Sequence, residues 1–448
     1  MKTRVKKPHP ISGLSRLATI ARELEDLTSV CKKCGICQSV CPLFPLTGLE
    51  RDIARGKIAV LEGVMADVVK SADAVLARIN QCLLCGSCAH ACPNGVDSMA
   101  IFLRARVLLT EYRGLSWGKK VLLRQILARP RLFDRMAGMA ESMQGIFLKT
   151  GRGNAESTAP RRVVSPLLHG RHVIPLAKTP FHAVTRTDSS NDKHAGTSVL
   201  FFTGCLIDKV FPSVASASIA ALRHHGFAPL VPENQGCCGI PALSSGDMET
   251  FQNLVHHHMG MFENLPFDRL VTACATCAFT IKKVWPAMIE KDDPLADRIT
   301  TIAEKTTDIT TLIASSNTGL TAATSDNALP VTYHDPCHLK KSLGIATAPR
   351  QLIHAAPGYR LVEMAEADKC CGMGGGFGIQ FADLSRSIGM AKQQHIVETG
   401  CRVVATGCPA CMIQIAGMLA AAGHGDIAVR HPVELYVDDT SSAAVRSR

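Results

Sequence analysis

The residues best suited to chemistry in this chain are cysteines, and they are not scattered. Two runs, CKKCGICQSVCP and CLLCGSCAHACP, hold Cys31, Cys34, Cys37 and Cys41 in the first and Cys82, Cys85, Cys88 and Cys92 in the second. Both follow the pattern C-x2-C-x2-C-x3-C-P. Three thiolates two residues apart wrap a tight loop around one face of an iron–sulfur cubane. The fourth, set off by three residues and a proline, turns toward a neighbouring cluster. The spacing therefore predicts crossed wiring: Cys31, Cys34, Cys37 and Cys92 hold one [4Fe–4S] cluster, and Cys82, Cys85, Cys88 and Cys41 hold the other. Gly35 and Gly86 stand at the same place in each run, where the backbone must pass close to inorganic sulfide. A pair of four-cysteine zinc sites is the competing reading. Structural zinc, however, pairs two separated knuckles, not four cysteines in one run closed by proline.

Ten more cysteines fall into an internal duplication. The first copy runs SVLFFTGC to Cys205, NQGCCG with Cys237 and Cys238, and VTACATC with Cys274 and Cys277. The second runs PVTYHDPC to Cys337, DKCCGMGGG with Cys370 and Cys371, and VATGCPAC with Cys408 and Cys411. Matching cysteines are offset by 132, 133 and 134 residues, a register that chance does not hold over three landmarks. The vicinal pairs do not suit disulfides, because neighbouring Cα atoms are about 3.8 Å apart and ordinary disulfides want about 4.4–6.8 Å. Two adjacent thiolates suit a cluster gripped twice by one loop, with Gly239 and Gly372 letting the backbone turn beside it. The GMGGGFG stretch lacks G-x-G-x-x-G spacing and is not read as a dinucleotide loop. Cys401 lies outside both patterns and reads as a buried residue. His334 and His338 flank Cys337 and are candidates to donate a proton or tune a cluster, a satisfied structural histidine being the commoner outcome, while His256–His258 read as an exposed triple in a polar helix.

The elements that must position these residues follow from periodicity. Leu14, Leu17, Ile20, Leu24 and Leu27 predict a helix leading into the first run. One or two amphipathic helices fill the gap between the runs, and SMAIFLRARVLLTEYR continues as helix to Gly114. In each duplicated half, apolar β-branched runs meet their cysteines and are followed by helical segments. That is an α/β layout with cysteines beyond the carboxyl ends of strands, where such sheets bind ligands. The expected division is 13–114 for the first metal-binding domain, 115–198 for a basic helical connector and long linker, 199–313 and 330–438 for the two copies. The fold class is α+β multidomain: a mostly helical two-cluster domain followed by a duplicated α/β domain.

The net charge of +11 is concentrated between Arg113 and Arg186, which holds fourteen Lys/Arg against Asp134, Glu141 and Glu156. Without aromatic interleaving or a nucleic-acid motif, this is not read as a nucleic-acid surface. It suits docking to an acidic partner or anionic headgroups, or a plain solvated linker. Around it, residues 115–148 repeat an apolar-basic pattern broken by Pro130, which predicts two short helices with a membrane-surface or quinone-side contact as their sharper role. The start, MKTRVKKPHPISGLSRLATI, lacks the apolar core of a secretory signal, and no apolar run approaches the roughly 20 residues of a membrane span. With nineteen cysteines mostly committed to metal, the expectation is a soluble chain in a reducing cytoplasm, able to rest peripherally on the inner membrane.

These motifs resemble known families across nearly the whole chain. The two runs resemble a bacterial two-cluster ferredoxin of the helical, succinate-dehydrogenase type. The duplicated halves resemble the CCG domain of heterodisulfide reductases and respiratory iron–sulfur subunits. The combination is similar to the iron–sulfur subunit of glycolate oxidase, with RGKIAVLEGV resembling that branch. It is similar also to the CCG-bearing subunits of heterodisulfide reductase and of anaerobic glycerol-3-phosphate dehydrogenase. The resemblance implies non-cubane [4Fe–4S] clusters at Cys205, Cys237, Cys238, Cys274 and Cys277, and at Cys337, Cys370, Cys371, Cys408 and Cys411. It implies an electron-transfer subunit without flavin or nicotinamide, serving an FAD-binding 2-hydroxyacid dehydrogenase and passing electrons toward a quinone or other carrier. Both CCG motifs are complete here, which departs from some glycolate-oxidase-type members and leaves disulfide reduction by the CCG domains as the alternative.

Overall fold

The computed structural model describes residues 10–149, 161–163, 172–185, 196–263, 265–316, 320 and 327–437. The basic arm before residue 10 and much of the stretch read as a linker (150–160, 164–171 and 186–195) lie outside the described residues.

Up to Gly114 the described chain is helical. Helix Pro10–Ser29 buries Ile20 and Leu24 and ends where the first cysteine run begins. Between the runs stand two helices, Ala54–Met65 and Ala72–Asn80, and Ser71 caps the second by accepting from the Ala74 N–H. Helix Ser98–Arg113 is capped by Asp97 and stops at Gly114, as predicted. Ile101, Phe102, Ala105 and Leu109 are all buried in it, because it is covered by helix Pro10–Ser29 and by the first duplicated unit.

The connector breaks at Pro130, as predicted, but its second helix, Pro130–Phe147, is eighteen residues long rather than short. The preceding segment is helical from Trp117 to Leu127. Three small antiparallel strands follow: β1 (Leu148–Lys149), β2 (Arg161–Val163) and β3 (His172–Val173). β3 crosses helix Pro409–Ala421 so closely that a Cβ on Gly417 would stand 2.8 Å from the His172 carbonyl oxygen.

Each duplicated half is a four-stranded parallel sheet. The first has β4 (Ser198–Phe201), β5 (Ala228–Leu230), β6 (Arg269–Thr272) and β7 (Thr306–Asp308), in the order β5-β4-β6-β7. The second has β8 (Leu329–Tyr333), β9 (Tyr359–Leu361), β10 (Val403–Ala405) and β11 (Ala428–Arg430), in the same order when read as β9-β8-β10-β11. Register matches too: Phe201 pairs with Val271, and Tyr333 with Ala405. The central strands are short and apolar because parallel sheets are covered by helices on both faces.

The long linker does not hold the domains apart. Arg106, fully buried, donates to the Cys82 carbonyl at 2.7 Å and to the Ser244 carbonyl at 2.9 Å, tying the second cysteine run to the first α/β unit. His338 reaches the Leu84 carbonyl at 3.0 Å, and Lys341 donates to Ser87 Oγ at 2.7 Å. Connection by sequence is loose, but apolar and polar contacts close the helical domain onto both units. The glycine run serves the same closure, since a Cβ on Gly374 would stand 3.3 Å from Leu83 Cα.

Candidate metal centres

The crossing seen in the spacing is a spatial grouping. Cys31, Cys34, Cys37 and Cys92 line one small cavity, with Cys88 at its edge, and Cys41, Cys82, Cys85 and Cys88 line a second. The two differ in exposure. Cys34 is exposed, whereas Cys85 is buried and Ser87 Oγ stands 3.3 Å from its sulfur. Ser98 Oγ lies 2.9 Å from Cys88 Sγ, and the Leu84 N–H donates to Cys82 Sγ at 3.5 Å. Burial pushes Cys41 up to about 11, against the pull of the fully buried Lys57 ammonium nearby. Such thiols give up their protons to a metal, not to water.

The duplicated cysteines follow strand ends in the predicted way. Cys205 follows β4, the Cys237–Cys238 pair follows β5, and Cys274 and Cys277 follow β6. Cys337, the Cys370–Cys371 pair, and Cys408 with Cys411 follow β8, β9 and β10. Gly239 and Gly372 take left-handed φ values of +95° and +92° just beyond each pair. All ten sulfurs line one cavity of about 800 Å³ between the halves. Cys238 is held well below the ordinary thiol range because Cys237 and Cys277 both donate to it, and Cys371 likewise by Cys370 and Cys411. Cys408 is lowered first by Cys274, a contact that joins the two halves. Cys85 is raised well above the ordinary range, chiefly through its hydrogen bond with Cys370. The thiols thus run in contact from the second cysteine run, through the second half, into the first.

All-thiolate sets with N–H and O–H donors beside them suit iron–sulfur clusters better than hard cations. Cys401 is buried, its S–H directed at the Ile396 carbonyl at 3.7 Å, and it lines none of these cavities. The histidine triple needs a correction: His258 is fully buried, not exposed. It shares a helical face with Phe251, Leu254, Val255 and Phe262, a four-and-three spacing that outweighs its polarity. Sequence reasoning passed over Arg106, Ser98, Lys341 and Thr276, whose Oγ1 lies 3.4 Å from Cys408 Sγ. Ser98 carried a faint signal, as a hydroxyl just past the second run; the others act across distances that no local pattern encodes.

Fold and cysteine geometry together define an iron–sulfur protein with a dicluster domain and two cysteine-rich domains. Family models agree: a 4Fe-4S dicluster domain matches residues 30–97, and a cysteine-rich domain (CCG) matches 199–282 and 331–416. The lactate utilization protein A of an Exiguobacterium species is 30% identical over 246 residues, covering 55% of this chain and 99% of that one. The probable glycolate oxidase iron-sulfur subunit of Bacillus subtilis is 26% identical, covering 86% and 87%. A subunit of the fumarate reductase (CoM/CoB) of Methanothermobacter marburgensis is 28% identical, covering 81% and 73%. The chain belongs to this iron–sulfur family of glycolate oxidase and lactate utilization subunits, and it carries multiple iron–sulfur clusters. Among the described residues, no helix is long and apolar enough to cross a membrane.

Proposed function

We propose that this chain is the iron–sulfur electron-transfer subunit of a flavin-dependent 2-hydroxyacid dehydrogenase, with glycolate or D-lactate as substrate of an FAD-binding partner. The observation that carries the reading is the line of thiols from the second cysteine run to the shared cavity, with the cavity of the exposed Cys34 adjoining it at Cys88. In this reading Cys31, Cys34, Cys37 and Cys92 ligate the outer cluster, and Cys41, Cys82, Cys85 and Cys88 the inner one. Cys337, Cys370, Cys371, Cys408 and Cys411 form the next site, and Cys205, Cys237, Cys238, Cys274 and Cys277 the last. The working division is 13–114, 115–198, 199–313 and 330–438. Electrons leave toward a quinone or other carrier. The connector supports a membrane-side exit: Tyr112, Trp117 and Leu122 are exposed, and Lys120, Arg129 and Arg135 beside them are exposed without an acidic partner among the described residues.

The test uses the full, cluster-loaded chain. Alone it should not reduce a dye with glycolate or D-lactate; with the flavoprotein added, substrate should bleach its clusters. Dye reduction by the flavin-free chain, or clusters that stay oxidised beside a turning-over flavoprotein, would refute the reading. A second reading has its own observation. Both complete cysteine sets line one common cavity and so face each other, and reduction of a disulfide held between the two sites is the alternative. Oxidation of the reduced chain by low-molecular-weight disulfides tests it.

A further inference from the structure

The two halves differ at one buried position beside their cysteines. Three residues before the first cysteine of each set stands Phe202 in the first half and His334 in the second. The positions are structurally equivalent. The Phe202 N–H donates to the Val271 carbonyl at 2.8 Å, and the His334 N–H donates to the Ala405 carbonyl at 2.9 Å. Phe202 is fully buried and packs edge-on to the His258 ring at 5.1 Å.

His334 is just as buried, yet only one of its ring nitrogens has a partner. Nδ1 lies 3.0 Å from the Ala367 carbonyl oxygen. A carbonyl can only accept, so Nδ1 carries the proton and Nε2 presents a lone pair. That Nε2 atom is completely enclosed and has no hydrogen-bond partner. A donor nitrogen of His334 and the sulfurs of Cys371 and Cys411 all lie within 4.8 Å of one another. Cluster thiolates are themselves acceptors and cannot satisfy a lone pair, whereas a metal ion can.

His431 is also fully buried with an unpartnered Nε2, but its Nδ1 accepts the Val433 N–H at 3.2 Å, so that Nε2 carries the proton and offers no lone pair. His258 and His338 have both nitrogens spent. His258 donates from Nδ1 to the Leu254 carbonyl at 2.7 Å and accepts the Gly236 N–H on Nε2 at 3.1 Å. His338 uses Nε2 on the Leu84 carbonyl at 3.0 Å and Nδ1 on Thr276 Oγ1 at 3.2 Å. Against these, the unspent lone pair of His334 stands out.

We infer that His334 Nε2 is a metal ligand of the second cysteine-rich site, a nitrogen donor that the first site lacks. A backbone carbonyl fixing the other ring N–H is how ligating histidines are ordinarily oriented. In the second site the nitrogen takes the iron position that a fifth thiolate holds in the first site, and neutral nitrogen in place of thiolate raises a cluster's reduction potential, as in mixed Cys/His iron–sulfur centres. The two duplicated sites are then unequal electron acceptors, with the second the more readily reduced. The inference rests on the cluster-bearing reading above.

The experiment is pulsed EPR and 57Fe Mössbauer spectroscopy on the full chain, loaded with clusters and labelled with 15N-histidine. One cluster should show a directly bound histidine nitrogen, and one of its irons should be distinct from the rest. The coupling should persist in the Cys237→Ser/Cys238→Ser double variant, which disables the first site, and in His338→Gln. It should vanish in His334→Phe, which copies the first half's own residue, and the midpoint potential of that cluster should fall. Should His334→Phe fail to load, the label-sensitive coupling in the unaltered protein still decides. Iron at the second site without histidine coupling, or coupling that survives His334→Phe, overturns this inference alone. A second site that holds no iron overturns the cluster-bearing reading with it.

Discussion

Asp308 ends β7 fully enclosed, with Oδ1 accepting from the Thr310 N–H at 2.9 Å and its hydroxyl at 2.5 Å, and Oδ2 accepting nothing. Burial pushes its carboxyl up to about 6, against the hydrogen bonds from Thr310; Cys408 adds to the rise, and Tyr333 is the other titratable group that feels it. A carboxyl whose folded pKa exceeds its unfolded value destabilises the protein when ionised. Stability therefore rises as pH falls from about 7 through 6, and the gain is complete below the unfolded value near 4. The full effect is about 3 kcal/mol from the pKa difference. Asp308→Asn should flatten this slope; chemical denaturation of the anaerobic protein at pH 5.5 and 7.5 measures it. A midpoint that falls with acidification in the parent protein as steeply as in the variant contradicts it.

Helix Ser98–Arg113 meets the first α/β unit at Gly246, whose φ is +82°. A Cβ there would stand 2.1 Å from Thr110 Oγ1 and 2.5 Å from the Arg106 carbonyl oxygen. Gly246→Val should unseat this helix and release Arg106 from the Ser244 carbonyl, destabilising the protein by about 3 kcal/mol or more. Loss of the inner cluster's EPR signal before the outer one, with a lowered melting temperature, is the expected outcome. This interface was not legible in the sequence. The helices were, because they announce themselves by apolar spacing; the caps Ser71 and Asp97 emerge only from the structure. The ends of the central strands were legible too, because β4, β6, β8 and β10 each run into a cysteine. What escaped was the contact between elements far apart in sequence, such as Arg106 with Ser244 or His338 with Leu84. His258 misled for the same reason, since its aromatic neighbours Phe202 and Trp285 come from other elements.

At the scale of the whole molecule, the connector is fixed to the first α/β unit. Arg124 pairs with the buried Asp247 at 3.1 and 3.2 Å, and a Cβ on Gly236, just before the Cys237–Cys238 pair, would stand 3.0 Å from Pro130 Cγ. A membrane seated on Trp117 and Leu122 would thus lie on the side of the last cysteine site. The chain contains two tryptophans: Trp117 is 81% exposed and Trp285 is fully buried. Vesicles containing phosphatidylglycerol should shift Trp117 emission to the blue, and neutral phosphatidylcholine should not. Changing Lys120, Arg129 and Arg135 to Gln should weaken binding by about fivefold for each cation removed. Emission that ignores anionic lipid would rule out this seat.

Of the eighteen cysteines in the two runs and the duplication, Cys34 alone is exposed; the rest are partly or fully covered. An oxidant arriving from water therefore finds its one exposed cysteine at the end where, on the function proposed above, electrons enter from the flavoprotein. On that reading the docked flavoprotein would also be armour, shielding the weakest joint of the wire while it feeds it, and a chain made without it should begin to corrode at the point of entry.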